Sequence, residues 1–164
     1  MLDKIKTYAP HAFAVFASII FLDSLRFKFT NAPETQEIFG RLNEWAASFG
    51  ADGLFAQTGL FSQYVIGSAE LVASTCLLVG IVPALRNLQT LGAMIAVAVM
   101  SGAVSFHLFT PLGIDPNNDG GGLFMVAVMI LIGSIIFLFF HRRTMTGILG
   151  GIRAAILSPM PNSE

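Results

Sequence analysis

The chain has 164 residues, of which 54% are hydrophobic and only 12% charged, with a formal net charge of −1 at pH 7. Soluble domains carry about a quarter charged residues, so too little polar surface remains here to cover a water-soluble globule, and the near-neutral charge gives a nucleic-acid partner no footing. The single cysteine, Cys76, lies in an apolar run; it excludes an intrachain disulfide and a cysteine-ligated metal cluster, and it reads as a small core residue.

Mean hydropathy is +0.73, and the apolar residues come in four blocks: about 9–29, 60–82, 91–109 and 123–140. Each is near the roughly 20 residues that cross a bilayer as a helix. None alternates in polarity as barrel strands do. The sequence therefore predicts an all-α membrane protein, a four-helix bundle in a single domain over 1–158 with a loose tail at 159–164. The first block follows Lys4 and Lys6 and has an apolar core of Ala12 to Leu22, which also describes a signal peptide. Asp23, Arg26 and Lys28 follow that core instead of a small-residue cleavage site, so an uncleaved spanning helix is expected.

The connection from Thr30 to Gly59 contains Ile38, Phe39, Leu42, Trp45, Ala46 and Phe49 at helical spacing, with Glu37, Arg41, Asn43 and Glu44 mostly opposite. It predicts an amphipathic helix in the outer interface, where Trp45 favours the headgroup level. After the fourth block, Ile148, Leu149, Ile152 and Ile156 recur beside Arg142, Arg143 and Arg153, which predicts a helix on the inner leaflet. Lys4, Lys6, Arg86, Arg142, Arg143 and Arg153 fall on one side of the four blocks. By the positive-inside rule that side is cytoplasmic. The expected setting is multi-pass in the inner (cytoplasmic) membrane, with both termini in the cytoplasm.

Ionisable groups among apolar helices cost several kcal/mol unless paired. Asp23, Glu70 and His107 are three such groups, in blocks one, two and three, with Arg26 and Lys28 just outward of Asp23. Gln63, Gly67, Glu70 and Ser74 share one face of their helix, which must look into the bundle. Asp23 shares a face with Arg26, and Ser101 and Ser105 lie one turn apart in block three. Gly92, Ala96 and Gly102 allow close helix approach. The candidate intramembrane polar site is Asp23, Lys28, Glu70 and His107, supported by Arg26, Gln63, Ser74 and Ser105. Carboxylates with an imidazole can relay protons, bind a cation or hold a polar ring such as a quinone. The opposing reading is structural: Glu70 protonated, or bonded to His107 or a serine, and Asp23 in a local ion pair.

The second outer connection, Asp115-Pro-Asn117-Asn-Asp119-Gly120, matches the first half of a calcium loop. Its twelfth position, Val126, cannot supply the bidentate carboxylate, so a complete calcium loop is excluded. What remains is a weak outer-loop cation site of Asp115, Asn117 and Asp119, or a plain Asx-rich turn. The seven methionines and fifteen phenylalanines are spread over the blocks and read as packing and lipid contact.

Several stretches resemble the DoxX-type family of small bacterial integral membrane proteins. Phe27-Lys28-Phe29-Thr30-Asn31-Ala32-Pro33-Glu34 is similar to that family's Phe-Lys-Phe-Thr-x-Ala-Pro-Glu. Glu70-Leu71 with Leu77-Leu78, Met100-Ser101-Gly102-Ala103 leading to His107-Leu108, Leu112-Gly113-Ile114, Asp119-Gly120-Gly121 before Leu123-Phe124, and His141-Arg142 extend the likeness over about residues 8–143. The stretch before Asp119 is longer than is usual in the family. The resemblance implies a four-helix membrane bundle. The family takes its name from a subunit of a thiosulfate:quinone oxidoreductase, and other members are associated with redox homeostasis. It carries no settled set of catalytic residues.

Three functions stand as expectations. The first is a redox-linked, quinone- or proton-handling membrane subunit. With no redox group of its own it would need electrons from a membrane or redox protein partner. The second is a non-catalytic accessory, chaperone or structural subunit of a larger membrane complex. The third is a small-solute or ion transporter, which with only four spans would need homo-oligomerisation.

Overall fold

The structure, a computed structural model, describes residues 2–157 and the side chains from residue 7 onward. The predicted tail at 159–164, and Ser158 before it, lie outside the described residues. Among the described residues the chain is all-helical. The helices are α1 (Leu2–Phe29), α2 (Pro33–Ala47), α3 (Gln63–Val79), α4 (Arg86–Phe109), α5 (Gly122–Phe140) and α6 (Arg142–Leu157), with a 3-10 turn at Pro83–Leu85.

Four helices form the bundle. α1 packs on α3, α3 on α4 and α4 on α5, and α5 returns to α1 through a smaller contact. Consecutive members run antiparallel. The end of α1 meets the start of α3 where Gln63 Nε2 donates to the Lys28 carbonyl at 2.8 Å. The end of α3 meets the start of α4 where Gly80 abuts Gln89. One end of the bundle thus carries α2 and both long connections; the other carries the Pro83–Leu85 turn and α6.

Small residues fill much of the interior, around the larger Phe21, Leu77, Ile130 and Phe137. Ala14, Ala17, Ala73, Ala93 and Ala96 are fully buried, together with Ser18, Ser74 and Ser134. Many other large apolar side chains face outward, among them Phe16, Ile19, Leu71, Val72, Ile132 and Phe139. Small interior residues let backbones approach closely. At Gly92 a Cβ would lie 2.8 Å from the Ala73 carbonyl oxygen and 2.9 Å from the Leu77 nitrogen, so only glycine fits between α3 and α4. Gly133 performs the same service for the Phe13 ring between α5 and α1. Gly102, expected to act likewise, meets only the Phe106 ring at 3.8 Å.

The helices match the apolar blocks with shifted bounds. α1 runs further toward the N-terminus than the block at 9–29, carrying Pro10 within it. α3 is only 17 residues long, because Ser62 caps it by accepting from Val65 N at 3.3 Å and leaves Leu60 and Phe61 in the preceding loop. By length and composition two helical stretches, Pro83–Phe109 and Gly122–Phe140, are apolar enough to cross a membrane; α3 falls short on length.

The predicted amphipathic helix forms as α2, with Pro33 in its first turn, where a missing amide costs nothing. Its apolar face does not lie free at an interface. Leu42 and Ala46 pack with Phe55, Leu112 and Phe106 into a second core that closes the bundle end. Trp45 stacks edge-on against Phe49 with centroids 4.9 Å apart. The sequence pattern located the helix; its partners, supplied by the two long connections and by Phe106 of α4, are distant in sequence. α6 forms as predicted, touches α4 and α5, and buries none of its residues.

Candidate functional site

The buried face of α3 is the one read from the sequence: Gln63, Gly67, Glu70 and Ser74 all point inward. Glu70 sits two turns into that helix, with a side chain only 4% exposed. An isolated carboxylate there would be costly, and α1 supplies its partners. Lys28 Nζ lies 3.0 Å from Glu70 Oε2 and donates to Oε1 at 3.1 Å, its side chain 15% exposed. Ser24 Oγ donates to Glu70 Oε2 at 3.1 Å and in turn accepts from Lys28 Nζ. Ser24 and Lys28 are one helical turn apart, so α1 presents both to the same carboxylate. Lys28 reaches this position by folding its stem back along the helix from near the bundle end. The three side chains form a closed, charge-neutral cluster in which each member is hydrogen-bonded to the other two.

A polar collar surrounds the cluster on its α2 side. Asn31, in a left-handed conformation with φ 58°, places its Oδ1 among three amides. It accepts from Gln63 Nε2 at 3.0 Å and Gln57 Nε2 at 3.0 Å, and also from Gln36 Nε2. Gln36 Nε2 also donates to Gln63 Oε1 at 2.7 Å. The end of α1, the start of α2 and the start of α3 are thereby tied at one point. Below Glu70, Ser74 Oγ donates to the Glu70 carbonyl at 2.6 Å and Ser18 Oγ to the Ser74 carbonyl at 3.3 Å. Ser74 therefore supports the backbone under Glu70 and does not touch its carboxylate.

The other expected members lie elsewhere. Asp23 and Arg26 pair with each other at 3.2 Å on the outside of α1, with side chains 58% and 74% exposed. Asp23 faces away because it precedes Ser24 by one residue, which turns it about 100° around the helix. Arg26 also lies over the Phe27 ring. His107 is buried, but its Nδ1 donates to the Gly113 carbonyl at 2.6 Å and its ring meets Phe124 edge-on. It fastens the end of α4 to the following turn, and none of the hydrogen bonds of Glu70 goes to it. Ser105 is exposed on α4. The expected convergence of Asp23, Glu70 and His107 is replaced by Lys28, Ser24 and Glu70.

The loop at 115–121 also differs from a cation site. Asp119 Oδ1 accepts from Gly121 N at 2.9 Å and Gly122 N at 3.1 Å, and Oδ2 from Leu123 N at 2.9 Å. Asp115 Oδ1 accepts from Asp119 N at 2.7 Å. Both carboxylates serve the turn and the start of α5. Partial burial pushes the Asp119 carboxyl up, but donation from Leu123, the bond to Asp115 and donation from Gly121 and Gly122 outweigh it and hold the group below the usual carboxylate range. Among the described residues no three histidine, cysteine or acidic side chains are gathered as metal ligands.

Two features had a weak sequence signal or none. Ser24 was legible in principle, as a hydroxyl four residues before a lysine on an apolar helix. The second is a polar pair at the α6 end, where Gln89 Nε2 and His11 Nδ1 lie 3.1 Å apart, joining residues 78 positions apart. Comparison with protein families, with curated proteins and with solved structures finds no match for this chain.

Proposed function

We propose that this chain is a four-span protein of the inner (cytoplasmic) membrane, with both termini in the cytoplasm, acting as a redox-linked subunit that handles a quinone or its protons. The belt of large apolar side chains on the outside of the bundle, over a core rich in alanine and serine, supports insertion of all four bundle helices. Arg86, Arg142 and Arg143 at one end and Asp52, Glu44 and Asp119 at the other support the orientation. The motif resemblance to DoxX-type proteins favours a redox setting.

One observation carries the functional part: a lysine, a serine and a glutamate are held together as a charged cluster within the half of the bundle near α2. Their chemistry fits a quinone headgroup. The Lys28 ammonium and Ser24 hydroxyl can donate to a ring carbonyl, and the Glu70 carboxylate can accept from a ring hydroxyl. A bound quinone would supply two-electron, two-proton chemistry, with electrons from a partner protein. Glu70 is the group to hold the proton at Oε1 or Oε2, and Lys28 balances its charge when it is released. Ser74 and Ser18 fix the backbone beneath.

Quinone content and quinone affinity of the purified protein test this reading. Glu70→Gln and Lys28→Met should each reduce quinone binding at least tenfold. Unchanged binding in both variants would remove the site. A second reading, an accessory or structural subunit, is favoured by the closure of the cluster, whose members satisfy one another. It predicts a stable stoichiometric complex whose assembly survives replacement of the ion pair by apolar residues.

A further inference from the structure

At the α2 end several acidic groups are paired or spent, with Asp23 on Arg26, Glu37 on Arg41, Glu70 on Lys28 and Asp119 on the start of α5, and Glu34, Glu44 and Asp52 add further negative charge. The α6 end has the opposite balance. Arg86, Arg142, Arg143 and Arg153 have no carboxylate within ion-pair distance among the described residues. Two adjoining grooves open there. One, of about 470 Å³, is lined by Asn87, Arg143, Thr144, Gly147 and Ile148, between the start of α4 and α6. The other, of about 410 Å³, runs from Phe139 to Thr144, so Arg143 and Thr144 line both. Phe139 and Phe140 on its far side are 63% and 75% exposed.

α6 itself asks for a covering surface. It contains Gly147, Gly150 and Gly151, each unfavourable inside a helix. None of its residues is fully buried, Met145 alone packs partly against the bundle core, and Leu149, Ile152 and Ile156 form an exposed stripe. Such a helix gains stability from an apolar surface, and its unpaired arginines select an anionic one.

We infer that the paired grooves bind one anionic phospholipid, with its phosphate on Arg143, Thr144 and Asn87 and its acyl chains along Phe139 and Phe140. Guanidinium, hydroxyl and amide donors suit a phosphate's acceptor oxygens. The exposed phenylalanines suit a hydrocarbon chain, and the two chemistries meet where the grooves share Arg143 and Thr144. The bound lipid would hold α6 against the leaflet. This inference rests on the membrane reading above.

The test uses the full chain in detergent, titrated with short-chain phosphatidylglycerol, with phosphatidylcholine of the same chain length and with inorganic phosphate, and read by native mass spectrometry and thermal shift. Phosphatidylglycerol should bind on the order of tenfold tighter than phosphatidylcholine, and the Arg142→Ala/Arg143→Ala double variant should lose about that preference. Gly147→Glu should lose it too while keeping the helix, since a Cβ at Gly147 meets nothing within 4 Å. Equal affinity for the two lipids, or wild-type affinity in both variants, overturns the inference. Inorganic phosphate binding as tightly as phosphatidylglycerol does so as well, since it reduces the grooves to a plain anion site. A chain that still needs detergent but shows no anionic preference loses this site alone. A chain that is soluble and monodisperse without detergent loses the membrane reading and this site with it.

Discussion

Glu70 and Lys28 illustrate how one missing partner changes the sign of an energy. Taking one member from a buried ion pair leaves an uncompensated charge, whereas replacing both by apolar groups is often neutral or better. Glu70→Gln should therefore lower stability by about 3 kcal/mol, read as a fall in thermal midpoint, because the Lys28 ammonium stays 15% exposed with only neutral acceptors. The double variant Lys28→Met/Glu70→Leu should recover most of that loss. If it recovers stability but not quinone binding, the pair serves more than architecture. Asp119 makes a second case. Its carboxyl is held below the usual range in the folded chain, so its contribution is present above the unfolded carboxylate value of about 4 and is lost as pH falls through the lower folded value. Asp119→Ala should cost about 1 kcal/mol at neutral pH and nothing once wild type is protonated, measured as thermal midpoints across an acid series. The sequence showed that Glu70 must look inward, because its face is set by helical period. It did not show which partner Glu70 would find. Asp23 and Lys28 lie near each other on α1, and five residues of helical rotation decide which of them reaches Glu70.

At the scale of elements, apolar run length located the four bundle helices and periodicity located α2 and α6, while their ends and contacts depended on capping and on distant partners. α2 was legible as amphipathic from Ile38 to Phe49, but its covering surface is made by Phe55, Phe106 and Leu112, which no local pattern assigns to it. The start of α3 was set by a serine cap and not by hydropathy. Gly92 was legible as a small residue, and the structure gives it a specific duty at the α3–α4 crossing. Gly92→Ala should destabilise the bundle by about 1–3 kcal/mol, since the added carbon meets backbone atoms that cannot turn aside. Gly102→Ala, which meets only a ring at 3.8 Å, should hold or raise the thermal midpoint, as the gain in helix propensity faces no clash, and serves as the control.

For the whole molecule, the number of crossings is the property that separates the proposed arrangement from its simplest rival, in which only α4 and α5 cross. Gln57 and Ala84 are both exposed and flank α3. In a Cys76→Ser background, Gln57→Cys should react with a membrane-impermeant maleimide from outside, and Ala84→Cys only after permeabilisation. Reaction of both from the same side would mean that α3 does not cross. The length of α3 has a further consequence in that setting. Its 17 residues span about 26 Å, whereas the 24 residues of α4 beside it span about 36 Å. A hydrocarbon layer near 30 Å matches neither. The lipid next to α3 must dip while α4 leans, so the protein would carry its own dent in the leaflet. If the leaflet dips at the Gln63 end, the dent would shorten the apolar distance between the water on that side and the buried Glu70 carboxylate.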